Sequence, residues 1–220
     1  MTRFLVLLAF VLQPVLAGAQ ERVLVIGDSI LWWNQLSGNS IPQLLGTLPR
    51  YDVTNRAAPG AAFSHSGNFR SMLQREIRQQ LTGGPWDIII LNGGANDLAR
   101  ECDCRRCDQT LSRMVSPDGR QGEVPAFLDL LRSRAARVVW MDYYPGSVRG
   151  GPFAGCTDEL ADYQIRMKRA SDLRPWVRFV DAGDVYDPRD LSLYSRDLVH
   201  PTPKGGARIA NQLARALAGR

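Results

Sequence analysis

The sequence predicts an α/β protein built on a parallel sheet with helices on both faces. Three observations carry that expectation. Apolar runs of strand length recur near residues 23–26, 51–55, 86–92, 137–142 and 176–181. Segments with helical spacing of apolar residues fall between them, the alternation that right-handed crossovers between parallel strands require. The run Trp86-Asp87-Ile88-Ile89-Ile90-Leu91-Asn92 is apolar on both faces, as in a strand covered on both sides.

The first run, Val23-Leu24-Val25-Ile26, stops abruptly in Gly27-Asp28-Ser29. That pattern is a buried strand entering a tight turn. Taken alone, Asp28 or Ser29 serves equally well as a helix cap or as a ligand-facing group at a strand end. Ser40 and Pro42 open a helix expected to run to about Leu48. Tyr51 to Asn55 is the second strand, and Pro59-Gly60 marks the turn after it. Met72, Leu73, Ile77 and Leu81 predict an amphipathic helix over 69–81, closed by Gly83-Gly84-Pro85. The third strand ends in Gly93-Gly94-Ala95-Asn96-Asp97, and an irregular stretch with three cysteines follows. A helix over 124–134 leads into the fourth strand, which ends at Tyr143-Tyr144-Pro145-Gly146. Thr157 is read as the cap of the next helix. The fifth strand covers 176–181, and the last helix runs from about Pro203 to Ala218.

Residues 1–19 read as a secretory signal peptide. A basic start at Arg3 precedes a short apolar run and the small-residue site Ala17-Gly18-Ala19. Residues 20–220 are then expected to form a single domain, exported to the periplasm or beyond, with no later stretch apolar enough to span a bilayer. The formal charge is +5 over 220 residues, but the arginines are scattered, which describes a solvated face rather than a nucleic-acid patch. The four cysteines are Cys102, Cys104, Cys107 and Cys156. An even count in an exported chain points to disulfides. The spacing also resembles part of a zinc site, but a closed site draws on two well-spaced pairs, so disulfides are the favoured reading and no metal is assigned. Cys102 and Cys104 are too close in sequence to pair well. Cys156 therefore joins one of the three clustered cysteines, with the choice left open.

The strand ends gather Ser29, Gly60 and Asn96 at one rim, and Asp197-Leu198-Val199-His200-Pro201 arrives just before the last helix. A serine nucleophile needs a general base. The chain has two histidines, His65 and His200. His200 has Asp197 three residues before it, a spacing that lets the carboxylate accept from Nδ1–H and leaves Nε2 for Ser29. His65 lies in a polar loop with no neighbouring carboxylate. The oxyanion of an acyl transfer also needs donors, and Ser29 N–H, Gly60 N–H and the Asn96 amide are the candidates. Trp32, Trp33 and Phe63 are either core residues or the walls of a substrate pocket.

These blocks resemble the SGNH hydrolases, also called GDSL esterases/lipases. The matching residues are Gly27-Asp28-Ser29-Ile30, Gly60, Gly94-Ala95-Asn96-Asp97 and Asp197-Leu198-Val199-His200, in the family's order. Ile30 stands where the family has Leu, the Gly60 block is the loosest match, and the cysteine insertion is outside the general pattern. The resemblance implies a three-layer αβα sandwich with a five-stranded parallel sheet in flavodoxin-like order. It implies Ser29 as nucleophile, His200 as base, Asp197 as orienting acid, an oxyanion hole from Ser29, Gly60 and Asn96, and no cofactor. No Gly-x-Ser-x-Gly elbow occurs, which argues against the α/β-hydrolase fold.

The reading is an exported serine esterase acting on short acyl groups of glycans or small esters. The alternatives on the same triad are a lysophospholipase or thioesterase and an O-acyltransferase. Outside catalysis, the rivals are a glycan- or lipid-binding module and a cysteine- or metal-dependent sensor. The expected partner is a small-molecule, glycan or lipid ester, with no nucleic acid and no stable membrane insertion.

Overall fold

The computed structural model describes residues 19–64 and 76–219. Residues 1–18 of the expected signal peptide, and His65, lie outside the described residues. Five parallel strands form one sheet: β1 (Glu21–Ile26), β2 (Tyr51–Asn55), β3 (Trp86–Leu91), β4 (Ala135–Met141) and β5 (Val177–Val180), in the order β2-β1-β3-β4-β5. This is the flavodoxin-like order, with its switch point between β1 and β3.

Both faces of the sheet are covered because the central strands alternate two apolar sets. Leu24, Ile26, Ile89, Leu91 and Trp140 point to one side. There they pack on α5 (Glu123–Leu131) and α6 (Thr157–Asp172) through residues such as Phe127, Leu128, Tyr163 and Met167. Val23, Val25, Ile88, Ile90 and Met141 point to the other side, against α2 (Ile41–Gly46) and α7 (Pro203–Ala218). Successive side chains in a strand face opposite ways, so a run of branched apolar residues fills two cores at once. Among the described residues the remaining α-helices are α1 (Ser29–Trp32), α3 (Ala95–Glu101) and α4 (Asp108–Met114). Among the described residues no helix is long and apolar enough to cross a membrane.

Several expected elements differ. The helix expected to reach Leu48 ends at Gly46, although Ser40 does cap it, its side chain accepting from Gln43 N–H in a full capping box. Of the helix expected over 69–81, residues 69–75 lie outside the described residues, and Ile77–Gln80 is a 3₁₀ turn. Thr157 is the first residue of α6 rather than its cap, and its hydroxyl donates to Ala154 O at 3.0 Å. The stretch read as irregular contains α4. Its turn of Thr110, Leu111 and Met114 is buried, while the flanking cysteines mask that short apolar pattern.

All four cysteines are paired: Cys102 with Cys107 across 5 residues and Cys104 with Cys156 across 52, with Cα separations of 5.3 and 4.8 Å. These separations suit disulfide bridging. The open choice for Cys156 therefore falls on Cys104, which ties the insertion between α3 and α4 to the start of α6.

Candidate active site

The site is built at the carboxyl ends of β1 and β3. The Gly27 amide donates to Gln80 Oε1 at 2.6 Å, and Gln80 Nε2 returns a bond to Gly27 O at 3.0 Å. Asn92, at the end of β3, exchanges two bonds with Asp28: it accepts from Asp28 N–H at 3.0 Å and donates to Asp28 Oδ1 at 2.8 Å. Oδ1 also accepts from Ile30 N–H at 2.9 Å, so Asp28 caps α1. Its other oxygen accepts from the Tyr143 hydroxyl at 2.5 Å. Burial raises the Asp28 carboxyl above its ordinary range, opposed by these donors. The effect is a rigid turn that presents Ser29 as the first residue of α1.

Ser29 Oγ lies 2.8 Å from His200 Nε2, and His200 Nδ1 lies 2.6 Å from Asp197 Oδ2. Asp197 Oδ1 accepts from the Val199 and His200 amides, each at 3.0 Å. Burial acts to raise Asp197, but the ring and amide donors outweigh it and hold the carboxyl below its ordinary range. An ionised Asp197 keeps the proton on Nδ1, which leaves the Nε2 lone pair facing the serine hydroxyl. The turn between them is tight enough that Leu198 adopts φ 60°. It is closed by Ser195 N–H donating to His200 O at 2.7 Å.

Trp33 covers the imidazole. Its ring stacks on His200 with centroids 3.8 Å apart and planes 8° from parallel. Its Nε1 donates to Ser195 Oγ at 3.1 Å, and that hydroxyl donates on to Pro201 O at 3.1 Å. Trp33 thus belongs to the mounting of the histidine.

Asn96, on α3, donates through Nδ2 to Ala61 O at 2.9 Å, which uses one of its two amide protons. Asp97 accepts from Phe63 N–H, Ser64 N–H and Ser64 Oγ at 3.1, 2.7 and 2.8 Å. Together they fix the loop that carries Gly60, whose φ is 67°. Among the described residues the amides of Ser29 and Gly60 have no acceptor within the protein. The second Asn96 amide proton likewise has no acceptor among the described residues.

A cavity of about 670 Å³ opens beside Ser29 and Asn96. Tyr143, Tyr144, Tyr194 and Phe153 contribute to its wall, as do Asp142, Asp181 and Gln164. The expected pocket residues are elsewhere. Phe63 is fully buried, in ring contact with Phe127 and Trp140. Trp32 packs against the second core. Trp33 lies on the histidine, and Gly60 is not part of the cavity wall. The residues that sequence reasoning passed over are Gln80, Asn92, Tyr143 and the cavity acids. The signal available for Asn92, Asp142 and Asp181 was their position directly after a strand.

Residues 25–208 match the model of the GDSL-like lipase/acylhydrolase family. No curated protein matches the chain. Solved structures share its fold. A carbohydrate acetylesterase family member from Sinorhizobium meliloti is 16% identical, with a TM-score of 0.65, covering 90% of this chain and 97% of that one. An acetylxylan esterase from Geobacillus stearothermophilus, solved as a catalytic mutant, is 15% identical, with a TM-score of 0.61, covering 92% and 96%. A GDSL-like lipase from Bacteroides thetaiotaomicron is 16% identical, with a TM-score of 0.60, covering 90% and 88%.

Proposed function

The chain belongs to the GDSL-like lipase/acylhydrolase family, and from that premise we propose that it is an exported serine esterase that removes short acyl groups from glycans or small esters. The observation that carries the proposal is the continuous line from Ser29 Oγ to His200 Nε2 and from His200 Nδ1 to Asp197, at 2.8 and 2.6 Å. Ser29 attacks the ester carbonyl while His200 takes its proton at Nε2. Asp197 keeps the other nitrogen protonated and stabilises the imidazolium. The developing oxyanion is met by the Ser29 and Gly60 amides and the Asn96 side chain. His200 then protonates the departing alcohol. A water molecule, deprotonated by the same nitrogen, releases the acid from the acyl-enzyme.

The esterases of similar fold support short acyl groups on a sugar or other small alcohol as the substrate. Two disulfides and the leader-like composition of residues 1–19 support export.

The test is hydrolysis of p-nitrophenyl esters of graded chain length. Activity is expected to be highest on acetate and to fall as the acyl chain lengthens. Ser29→Ala and His200→Ala should each lower kcat by about a thousandfold or more. Asn96→Ala should lower it by roughly a hundredfold, and His65→Ala should keep most of it. A folded Ser29→Ala protein with undiminished activity would refute the assignment.

A further inference from the structure

The wall of the cavity beside Ser29 is acidic in composition, whereas the whole chain is basic. The protein has 27 Lys and Arg against 22 Asp and Glu. Among the described residues the cavity wall has no Lys or Arg, yet Asp28, Asp142 and Asp181 all contribute to it. Asp142 and Asp181 stand directly after β4 and β5, and Asp28 follows β1 after Gly27; the sheet brings these parallel strand ends to one rim. Asp28 is satisfied by Tyr143, Asn92 and the Ile30 amide. Asp181 accepts from Gln164 Nε2 and the Gly183 amide, each at 2.7 Å.

Asp142 differs. It is 2% exposed, and its nearest side-chain donor is Trp140 Nε1, 3.4 Å from Oδ1. The Tyr143 amide is its other donor, and no Lys or Arg stands beside it in the cavity wall among the described residues. Burial, reinforced by the Asp181 charge and opposed by the Trp140 and Tyr143 amide bonds, pushes this carboxyl up to about 7. A buried carboxylate without a counter-charge is costly unless something pairs with it.

The other part of the wall is aromatic, and its hydroxyls are already engaged. Tyr143 donates to Asp28, Tyr144 to Val199 O at 2.6 Å and Tyr194 to Pro145 O at 2.7 Å. With their hydroxyls engaged, these side chains contribute aromatic surface to the wall, Tyr144 having one ring face stacked on Tyr186 at 3.9 Å. Carboxylates together with aromatic rings and no basic residue are the chemistry that recognises an ammonium: the acids supply opposite charge, and the rings supply cation–π attraction.

We infer that the Asp142–Asp181 end of this cavity, with the rings of Tyr143, Tyr144 and Tyr194, is a subsite for an ammonium group carried on the alcohol part of the ester. The inference rests on the esterase reading in taking the alcohol part as the occupant, since a short acyl group fills little of such a space. The ammonium supplies the positive charge that Asp142 and Asp181 lack.

The test compares probes of equal shape and different charge. Choline and its carbon isostere 3,3-dimethylbutan-1-ol are titrated calorimetrically into the wild-type protein and into Ser29→Ala. In parallel, hydrolysis of their acetates is followed by acid release, with p-nitrophenyl acetate as the reporter of esterase activity. Longer alcohols, with four carbons between oxygen and ammonium or tert-butyl group, cover the depth of the cavity. Choline or its longer homologue is expected to bind at least tenfold tighter than its isostere, with the same preference in kcat/KM of the acetates. Asp142→Asn should reduce that ratio to near one, since the amide keeps the shape and loses the charge. Asp181→Asn gives a second reading should Asp142→Asn fail to fold. Equal binding of charged and neutral probes at both lengths would overturn the subsite. Absence of p-nitrophenyl acetate hydrolysis with the binding preference intact would instead overturn the esterase reading and leave the subsite standing.

Discussion

At the scale of single residues, the site depends on groups that hold the triad as much as on the triad itself. Trp33 is the clearest case. Its face lies 3.8 Å from the His200 ring, and its indole N–H is anchored to Ser195 within the turn that carries the histidine. An aromatic contact of this kind contributes about 1 kcal/mol beyond its buried area. Trp33→Ala should therefore lower kcat/KM on p-nitrophenyl acetate by roughly fivefold, by letting the imidazole leave the line between Ser29 and Asp197. Trp33→Phe keeps the stacked ring and loses only the Ser195 bond, so it should recover most of the loss. Steady-state kinetics on the two variants checks this, and an equal loss in both would assign the effect to the hydrogen bond instead. The spacing of Asp197 and His200 was legible in the sequence because three residues of a turn suffice to join them. The stack was not, because Trp33 and His200 meet only through the tertiary fold. The two tryptophans offered no local pattern to separate core, pocket and support.

At the scale of elements, the strand ends explain why the motif has its form. The small residue in Gly27-Asp28-Ser29 is required by β3. Gly27 has φ 143°, and a Cβ there would collide with Asn92 Oδ1 and come within 2.9 Å of the Asn92 carbonyl oxygen. Asn92 is buried and bonded twice to Asp28, so it has no room to retreat. Gly27→Ala should cost roughly 3 kcal/mol or more through the combined clash and strained backbone. Gly155→Ala, where a Cβ meets nothing within 4 Å, should stay within about 0.5 kcal/mol. Urea denaturation of both variants tests the difference, and similar midpoints would show that the β1–β3 turn relaxes. The strands themselves were legible because their runs are uniformly apolar and end in polar residues. The cavity at their ends was less so: Asp142 and Asp181 look like ordinary strand-terminating acids until parallel pairing places β4 beside β5. Phe63 shows the converse. In the sequence it reads as either a core residue or a pocket wall, and the Asp97 bonds to the Phe63 and Ser64 amides accompany a ring set in the core.

At the scale of the whole molecule, the cysteine insertion fastens the sheet's helical layer to the wall of the cavity. Cys104 lies between α3 and α4, and Cys156 directly precedes α6. Phe153, Ala154 and Thr157, on either side of Cys156, face the cavity. The sequence excluded a Cys102–Cys104 pair by geometry but held no information on which partner Cys156 takes, since that depends on how α6 packs against the insertion. Closing a loop of 52 residues removes more unfolded-chain entropy than closing one of 5. The chain-entropy estimate is about 4 kcal/mol for the Cys104–Cys156 bridge and about 2 for Cys102–Cys107. Replacing each pair by serine should therefore destabilise the protein unequally, with the long-range pair the more costly. Guanidinium denaturation of the two double variants measures this directly. The Cys104/Cys156 variant should also lose kcat/KM on p-nitrophenyl acetate while it remains folded, because the freed segment is the cavity wall; the Cys102/Cys107 variant should not, since its bridge closes a loop within the insertion. An activity loss confined to the Cys102/Cys107 variant would mean that the insertion shapes the site through its own fold rather than through its tether to α6.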